Sequence, residues 1–93
     1  MTDRLRGKVG IVTGGGTGIG QGIALALARE GAHVVVGGRR LAPLADTVDR
    51  IRAAGGQAEA LSTDVTVESQ VQALVGRAVA AFGGLDILVS NAG

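Results

Sequence analysis

The residues best suited to chemistry in this sequence are glycines and hydroxyl side chains near its beginning. The stretch Thr13–Gly20 reads TGGGTGIG and follows the apolar run Val9–Val12. Glycines let backbone N–H groups come close to a ligand, because no Cβ stands in the way. Apolar residues then recur at helical spacing, at Ile23, Ala26 and Leu27, and a helix N-terminus favours anions such as phosphate. The stretch therefore predicts a strand, a phosphate-binding turn and a helix.

The spacing of these glycines is T-G-x-x-x-G-x-G rather than G-x-G-x-x-G, because Ile19 stands where the second pattern needs a glycine. A flexible glycine loop without a ligand is the alternative to a nucleotide-binding turn. We expect the turn to let a pyrophosphate approach and to let the helix pack close to the strand. The residues expected to bind the nucleotide here are Gly14, Gly16, Thr17, Gly18, Ile19 and Gly20.

Length and composition exclude several functional classes. With 93 residues, 46% of them apolar, the chain is long enough for one small domain. The net charge of +1 gives no reason to expect nucleic acid or a membrane as a partner. Without cysteine and with one histidine, neither disulfides nor a metal site are expected. We expect a cytoplasmic protein, because no run has transmembrane length and the N-terminus is not a signal peptide.

Strand and helix patterns alternate along the whole sequence. The predicted strands are Lys8–Thr13, Ala32–Val36, Gln57–Ser62 and Leu85–Val89. The predicted helices are Gly18–Glu30, Leu41–Ala54 and Val67–Phe82, the last with Thr66 as N-cap. This β-α-β-α-β-α-β order predicts an α/β protein, a truncated Rossmann-like three-layer fold with a parallel sheet of order 3-2-1-4. The ligand crevice is expected at the carboxyl ends of strands one and four.

The turn after the second predicted strand favours one nucleotide over another. Sites for NAD usually place an acidic residue near that point, to bind the ribose 2′-hydroxyl. Here the segment reads Gly37–Arg40, and the nearest carboxylate in sequence is Asp46, inside the next helix. Arg39 suits a 2′-phosphate, which predicts NADP(H) rather than NAD(H). Two solvated arginines at the start of a helix are the alternative, and Arg40 either assists Arg39 or is solvated.

The chain resembles the N-terminal, cofactor-binding part of a short-chain dehydrogenase/reductase. The resemblance is carried by the glycine spacing above, by Asp64-Val65, by Asn91-Ala92-Gly93 and by the strand segments Gly7–Val9 and Leu85–Val89. These motifs occur in the family's order and cover the chain from about Leu5 to Gly93. One small departure is Ser90, where many members carry a second asparagine.

This resemblance implies an oxidoreductase that acts on alcohol or carbonyl groups with a dinucleotide cofactor. It implies that Asp64 accepts a hydrogen bond from the adenine amino group, with the Val65 backbone beside it. It also implies that Asn91, Ala92 and Gly93 lie at the cofactor, and that Asn91 ties strand four to the first turn through Thr13. The alternatives are an Asp64 that only complements a helix dipole and an Asn91 with a purely structural use.

The family's catalytic serine and its Tyr-x-x-x-Lys pair are expected beyond strand four. The sequence contains no tyrosine, and its single lysine is Lys8, so we assign no catalytic residue. We therefore expect residues 1–93 to be the first part of an NAD(P)-binding domain, inactive alone, with an apolar open edge at strand four. A full-length relative is expected to bind a small alcohol or carbonyl substrate and to form a homo-oligomer. The alternative is a stand-alone nucleotide-binding or interaction module.

Overall fold

The protein is described by a computed structural model that covers residues 4–14, 16 and 18–91. In these residues, strands and helices alternate as the sequence predicts. The elements are β1 (Val9–Thr13), α1 (Gly18–Arg29), β2 (His33–Gly38), α2 (Leu41–Ala53), β3 (Ala58–Ser62), α3 (Glu68–Phe82) and β4 (Ile87–Val89).

The strands form a parallel sheet in the order β3-β2-β1-β4. Ile11 in β1 lies opposite Val35 of β2 on one side and Leu88 of β4 on the other. Both inner strands are rich in β-branched residues and are buried over most of their length, as expected of parallel strands covered on both faces. The Rossmann-like α/β architecture and the order 3-2-1-4 are thus confirmed.

The helices cover the two faces of the sheet unequally. Val12, Val34 and Val36 point into a core that includes buried residues of α1 and α2. Val9, Ile11 and Val35 point to the other face, where α3 contributes Leu74 and Ala78. This alternation follows from the period of two along a strand. Because the strands are all parallel, the turns that follow them lie at the same edge of the sheet.

The second strand is longer than predicted. We expected Ala32–Val36 followed by a turn, but β2 begins at His33 and continues through Gly38. Gly37 pairs with Leu61 and Gly38 with Ser62. A Cβ on Gly37 would come within 2.7 Å of Leu74 Cδ2, so the glycine also makes room for the α3 side chain. Tertiary packing therefore overrides the usual turn preference of a Gly-Gly pair, and it carries the strand to the residue before Arg39.

The start of the third helix also differs from the prediction. Thr66 is not the N-cap, because α3 begins at Glu68 and the residue before it is Val67, which has no side-chain cap. The Thr66 hydroxyl donates to Asp64 Oδ1 at 2.6 Å, and the Thr66 backbone N–H donates to the same oxygen at 2.9 Å. The Thr66 hydroxyl therefore belongs to an Asx-type turn with Asp64 and does not cap the helix.

The fourth strand is shorter than predicted, and it lies at the edge of the sheet. It spans Ile87–Val89 instead of Leu85–Val89. Just before it, Asp86 bonds to Val9 twice: its carboxylate accepts the Val9 N–H at 2.9 Å, and its own N–H donates to the Val9 carbonyl at 2.8 Å. Among the described residues, β4 is at one end of the strand order and its Leu88 side chain is 61% exposed, in agreement with the expected apolar edge strand. The other boundaries shift by one residue: α1 ends at Arg29, α2 at Ala53, β1 begins at Val9 and β3 at Ala58.

Candidate cofactor-binding site

A cavity of about 440 Å³ lies at the carboxyl ends of the strands. Its position agrees with the crevice expected where the strand order reverses, between β1 and β4, and it extends across β2 and β3. Its volume lies within the range of sites for small molecules and cofactors. The cavity is lined by Thr13, Gly14, Gly16, Gly38, Arg39, Arg40, Pro43, Leu44, Thr63, Val65 and Asn91.

We call Gly14, Gly16, Gly18 and Gly20 the glycine turn. Gly14 has a φ of 65°, which disfavours any residue with a Cβ. A Cβ on Gly20 would overlap the Gly14 carbonyl oxygen, and a Cβ on Gly16 would come within 2.8 Å of Pro43 Cβ. Gly20 therefore lets α1 pack closely against the turn at Gly14, and Gly16 lets the turn pack closely against Pro43 in α2.

The backbone of Gly14 is not free to bind a ligand through its N–H. That N–H donates to the Gly37 carbonyl at 2.7 Å. The residue therefore fixes the direction in which the chain leaves β1, and the N-terminus of α1, which begins at Gly18, remains the anion-favouring part of the turn.

Asn91 joins the last strand to the first turn. Its backbone N–H donates to Thr13 Oγ1 at 3.0 Å, and its side-chain amide donates to the Gly14 carbonyl at 3.4 Å. The Thr13 hydroxyl in turn donates to the Val89 carbonyl at 3.4 Å. The predicted tie between strand four and the first turn through Thr13 is confirmed. The contact of Asn91 with a nicotinamide ribose stays a prediction.

Arg39, Arg40 and Asp64 form what we call the charged rim of the cavity. Arg39 Nη2 lies 3.5 Å from Asp64 Oδ1, and the two side chains are 71% and 34% exposed. Hydrogen bonds from the hydroxyl and the backbone N–H of Thr66 hold the pKa of Asp64 below its ordinary value of 3.8, and the charge of Arg39 lowers that pKa further. Asp64 is thus a carboxylate at neutral pH, facing a guanidinium.

The structure brings most of the predicted cofactor-binding residues to one place. Those that line the cavity are Gly14, Gly16, Arg39, Arg40, Val65 and Asn91. Asp64 lies beside Arg39, while Gly18, Ile19 and Gly20 form the first turn of α1, with Ile19 75% exposed. The predicted residues Thr17, Ala92 and Gly93 lie outside the described residues.

Five residues of the cavity were not among the predicted cofactor-binding residues, namely Thr13, Gly38, Pro43, Leu44 and Thr63. Gly38 and Thr63 lie at the cavity because β2 pairs with β3. The last pair of that ladder is Gly38 with Ser62, and the N–H of the next residue, Thr63, donates to the Gly38 carbonyl at 2.7 Å. Pro43 and Leu44 belong to the first turn of α2. The sequence indicated their place only indirectly, because the predicted second helix begins directly after the predicted site residue Arg40.

The described residues at the cavity offer anion-binding groups rather than an acid–base pair. Lys8 precedes β1, at the opposite end of the sheet. His33 begins β2, and its ring packs against Phe82 with 4.8 Å between centroids. Among residues 4–14, 16 and 18–91, no three His, Asp or Glu side chains gather as metal ligands would. Across the same residues, no helix has the length and hydropathy to span a bilayer.

Fold and sequence together define the class of this protein. The family model for short chain dehydrogenase matches residues 8–93. The chain therefore belongs to the short chain dehydrogenase family, as its motifs and strand order led us to expect.

The chain is similar in sequence and in structure to individual oxidoreductases. The chain is 48% identical over 90 residues to a hydroxynaphthalene reductase of Aspergillus fumigatus, covering 96% of the chain and 33% of that protein. A hydroxysteroid dehydrogenase from Escherichia coli superposes with a TM-score of 0.94 at 46% identity, over 97% of this chain and 38% of that one.

A second solved structure bears on the cofactor. A variant of the actinorhodin polyketide ketoreductase, solved with NADPH, superposes with a TM-score of 0.89 at 38% identity. The match covers the whole of this chain and 35% of the ketoreductase. The present chain therefore spans about a third of the length of the proteins described here.

Proposed function

We propose that this chain forms the dinucleotide-binding part of an NADP(H)-dependent oxidoreductase that acts on an alcohol or a carbonyl group. The observation that carries the proposal is the position of Arg39. It follows the last residue of β2, where NAD-binding sites place an acidic residue, and its side chain lines the cavity. A guanidinium at that point suits the charge and geometry of a 2′-phosphate.

The residues of the cavity fit such a cofactor from end to end. Arg39 and Arg40 supply positive charge at one end, for the phosphate on the adenosine ribose. The N-terminus of α1 supplies a positive dipole end for the pyrophosphate. Asn91, held by Thr13, lies at the far wall, where we place the nicotinamide ribose. Asp64 and Val65 would contact the adenine. The bound cofactor supplies the hydride chemistry, and this chain orients it.

The alternative function is a nucleotide-binding module without catalysis. The chain has no tyrosine, and Lys8 lies at the opposite end of the sheet from the cavity. A nucleotide-binding module without catalysis would need neither residue near the cofactor. The two functions share the cavity, and residues 1–93 are expected to show no turnover under either. Cofactor oxidation with carbonyl substrates therefore separates them only in a longer protein that contains this chain. We further propose a cytoplasmic protein with a small-molecule substrate.

Calorimetric titration of the purified protein with NADPH and then with NADH tests the proposed site directly. We expect NADPH to bind more tightly, because a hydrogen-bonded charge pair contributes about 1.5–3 kcal/mol. Equal affinities would argue against the contact between Arg39 and the 2′-phosphate. Absence of binding by either dinucleotide, with the protein shown to be folded by circular dichroism, would overturn the proposed function.

A further inference from the structure

Arg39 and Asp64 are brought together by strand pairing, not by their positions in sequence. A backbone hydrogen bond links the carboxyl ends of β2 and β3, because the N–H of Thr63, just after β3, donates to the Gly38 carbonyl at 2.7 Å. Ser62 Oγ donates to the Arg39 carbonyl at 3.2 Å. These bonds fix the two backbones and leave the Arg39 guanidinium 3.5 Å from the Asp64 carboxylate.

The two partners of this ion pair are anchored unequally. Asp64 Oδ1 accepts two hydrogen bonds from Thr66, and the Asp64 backbone N–H donates to Gln70 Oε1 at 2.7 Å. Arg39 is held at its backbone, but its side chain is 71% exposed. The carboxylate is therefore a fixed charge, while the guanidinium is free to turn toward another anion.

We propose that Asp64 is a specificity-determining residue whose fixed carboxylate competes with the ribose 2′-phosphate for Arg39, and so limits the preference for NADPH over NADH. This inference rests on the proposed function. A phosphate that approaches Arg39 comes near a second negative charge that is held in place by Thr66. NADH carries no 2′-phosphate and does not meet this repulsion.

A fixed carboxylate could also help binding, by holding Arg39 ready for the phosphate. The geometry makes that gain small, because the pair has a single contact of 3.5 Å and both side chains reach solvent. Exposed ion pairs of this kind fix their partners only weakly. The phosphate carries between one and two negative charges near neutral pH, so competition and repulsion outweigh the preorganisation of Arg39.

The substitution Asp64→Asn tests this inference with little risk to the fold. Asparagine keeps an oxygen whose two lone pairs can accept the two hydrogen bonds from Thr66. The measured quantity is the ratio of the Kd for NADH to the Kd for NADPH, in the purified protein at low ionic strength. Contacts with adenine are common to both dinucleotides and cancel in that ratio. We expect the ratio to rise about two- to fivefold, the range of an exposed ion pair.

Two further variants separate a local effect from a general change of charge. Asp49→Asn removes a carboxylate from the exposed face of α2 and should leave the ratio unchanged. In an Arg39→Ala background, Asp64→Asn should no longer raise the ratio, because the competition acts through Arg39.

A ratio that stays constant or falls in Asp64→Asn overturns the inference, while the preference of the parent protein for NADPH leaves the proposed function standing. A rise that persists without Arg39, or that Asp49→Asn reproduces, overturns it as well. If the parent protein binds neither dinucleotide, both the inference and the proposed function fail.

Discussion

The glycine turn and the charged rim are built on different physical grounds, although they border the same cavity. The glycine turn works through the absence of side chains: Gly20 leaves room for the Gly14 carbonyl, and Gly16 leaves room for Pro43. The charged rim works through side chains that reach solvent, with Arg39 and Asp64 in partial contact. We expect the turn to contact what every dinucleotide shares, and Arg39 of the rim to contact the phosphate by which NADPH differs from NADH.

Gly20→Ala should have the largest effect, and it should not discriminate between cofactors. The added methyl group would overlap the Gly14 carbonyl and approach Asn91 Nδ2 to 2.7 Å. We expect the free energy of unfolding to fall by about 1–3 kcal/mol, as overpacking costs, and the affinities for NADPH and NADH to fall together. Urea denaturation and calorimetry measure the two effects.

Gly22→Ala is the matched control, because a Cβ there meets nothing within 4 Å and the residue lies inside the same helix. It should raise the free energy of unfolding by about 0.5–1 kcal/mol. If Gly20→Ala were as well tolerated as Gly22→Ala, the account of the glycine turn would be wrong.

Arg39→Ala should show the opposite pattern, with a cofactor-specific loss and little loss of stability. We expect the affinity for NADPH to fall by about 1.5–3 kcal/mol and the affinity for NADH to change little, because only NADPH carries the 2′-phosphate. Arg77→Ala, which removes an exposed arginine paired with Glu59 outside the cavity, should leave both affinities unchanged. If Arg39→Ala lowered the affinities for NADPH and NADH equally, the charged rim would not discriminate between the two cofactors, and the contrast with the glycine turn would be wrong.

Acid stability should show a smaller effect, confined to the rim. The folded protein holds the pKa of Asp64 below 3.8 through Thr66 and then Arg39. The unfolded chain then binds the proton more tightly, so this contribution is complete above pH 3.8 and is lost as the pH falls through the lower folded-state pKa. Asp64→Asn should weaken the decline of the free energy of unfolding in that range, as measured by urea titrations. A decline identical to that of the parent protein would contradict this role of Asp64.

Sequence reasoning predicted what depends on local pattern. The alternation of strands and helices, the strand order and the place of the cavity followed from apolar spacing and from the handedness of crossovers. The boundary of β2 could not be predicted, because Gly37 and Gly38 read as a turn until Leu74 and the β3 ladder are known to lie against them. The prediction of Thr66 as the N-cap of α3 was wrong for a similar reason, because the Thr66 hydroxyl bonds to Asp64 instead.

At the site, sequence reasoning found single residues and missed their mutual contacts. Arg39 was predicted to lack a nearby carboxylate, since Asp46 was the nearest acid in sequence. The structure places Asp64 beside it, because the ends of neighbouring parallel strands meet across a gap that sequence distance does not measure. Cofactor contacts of the predicted residues stay predictions.

The bond between Asn91 and Thr13 also has a consequence for how the site comes into being. The two residues are 78 positions apart, whereas β1 reaches its other neighbour, β2, across a single helix. Closing so long a segment costs chain entropy that shorter contacts do not incur. We therefore expect this wall of the cavity to assemble late in folding. A dinucleotide that binds only the closed arrangement would draw the folding equilibrium toward completion.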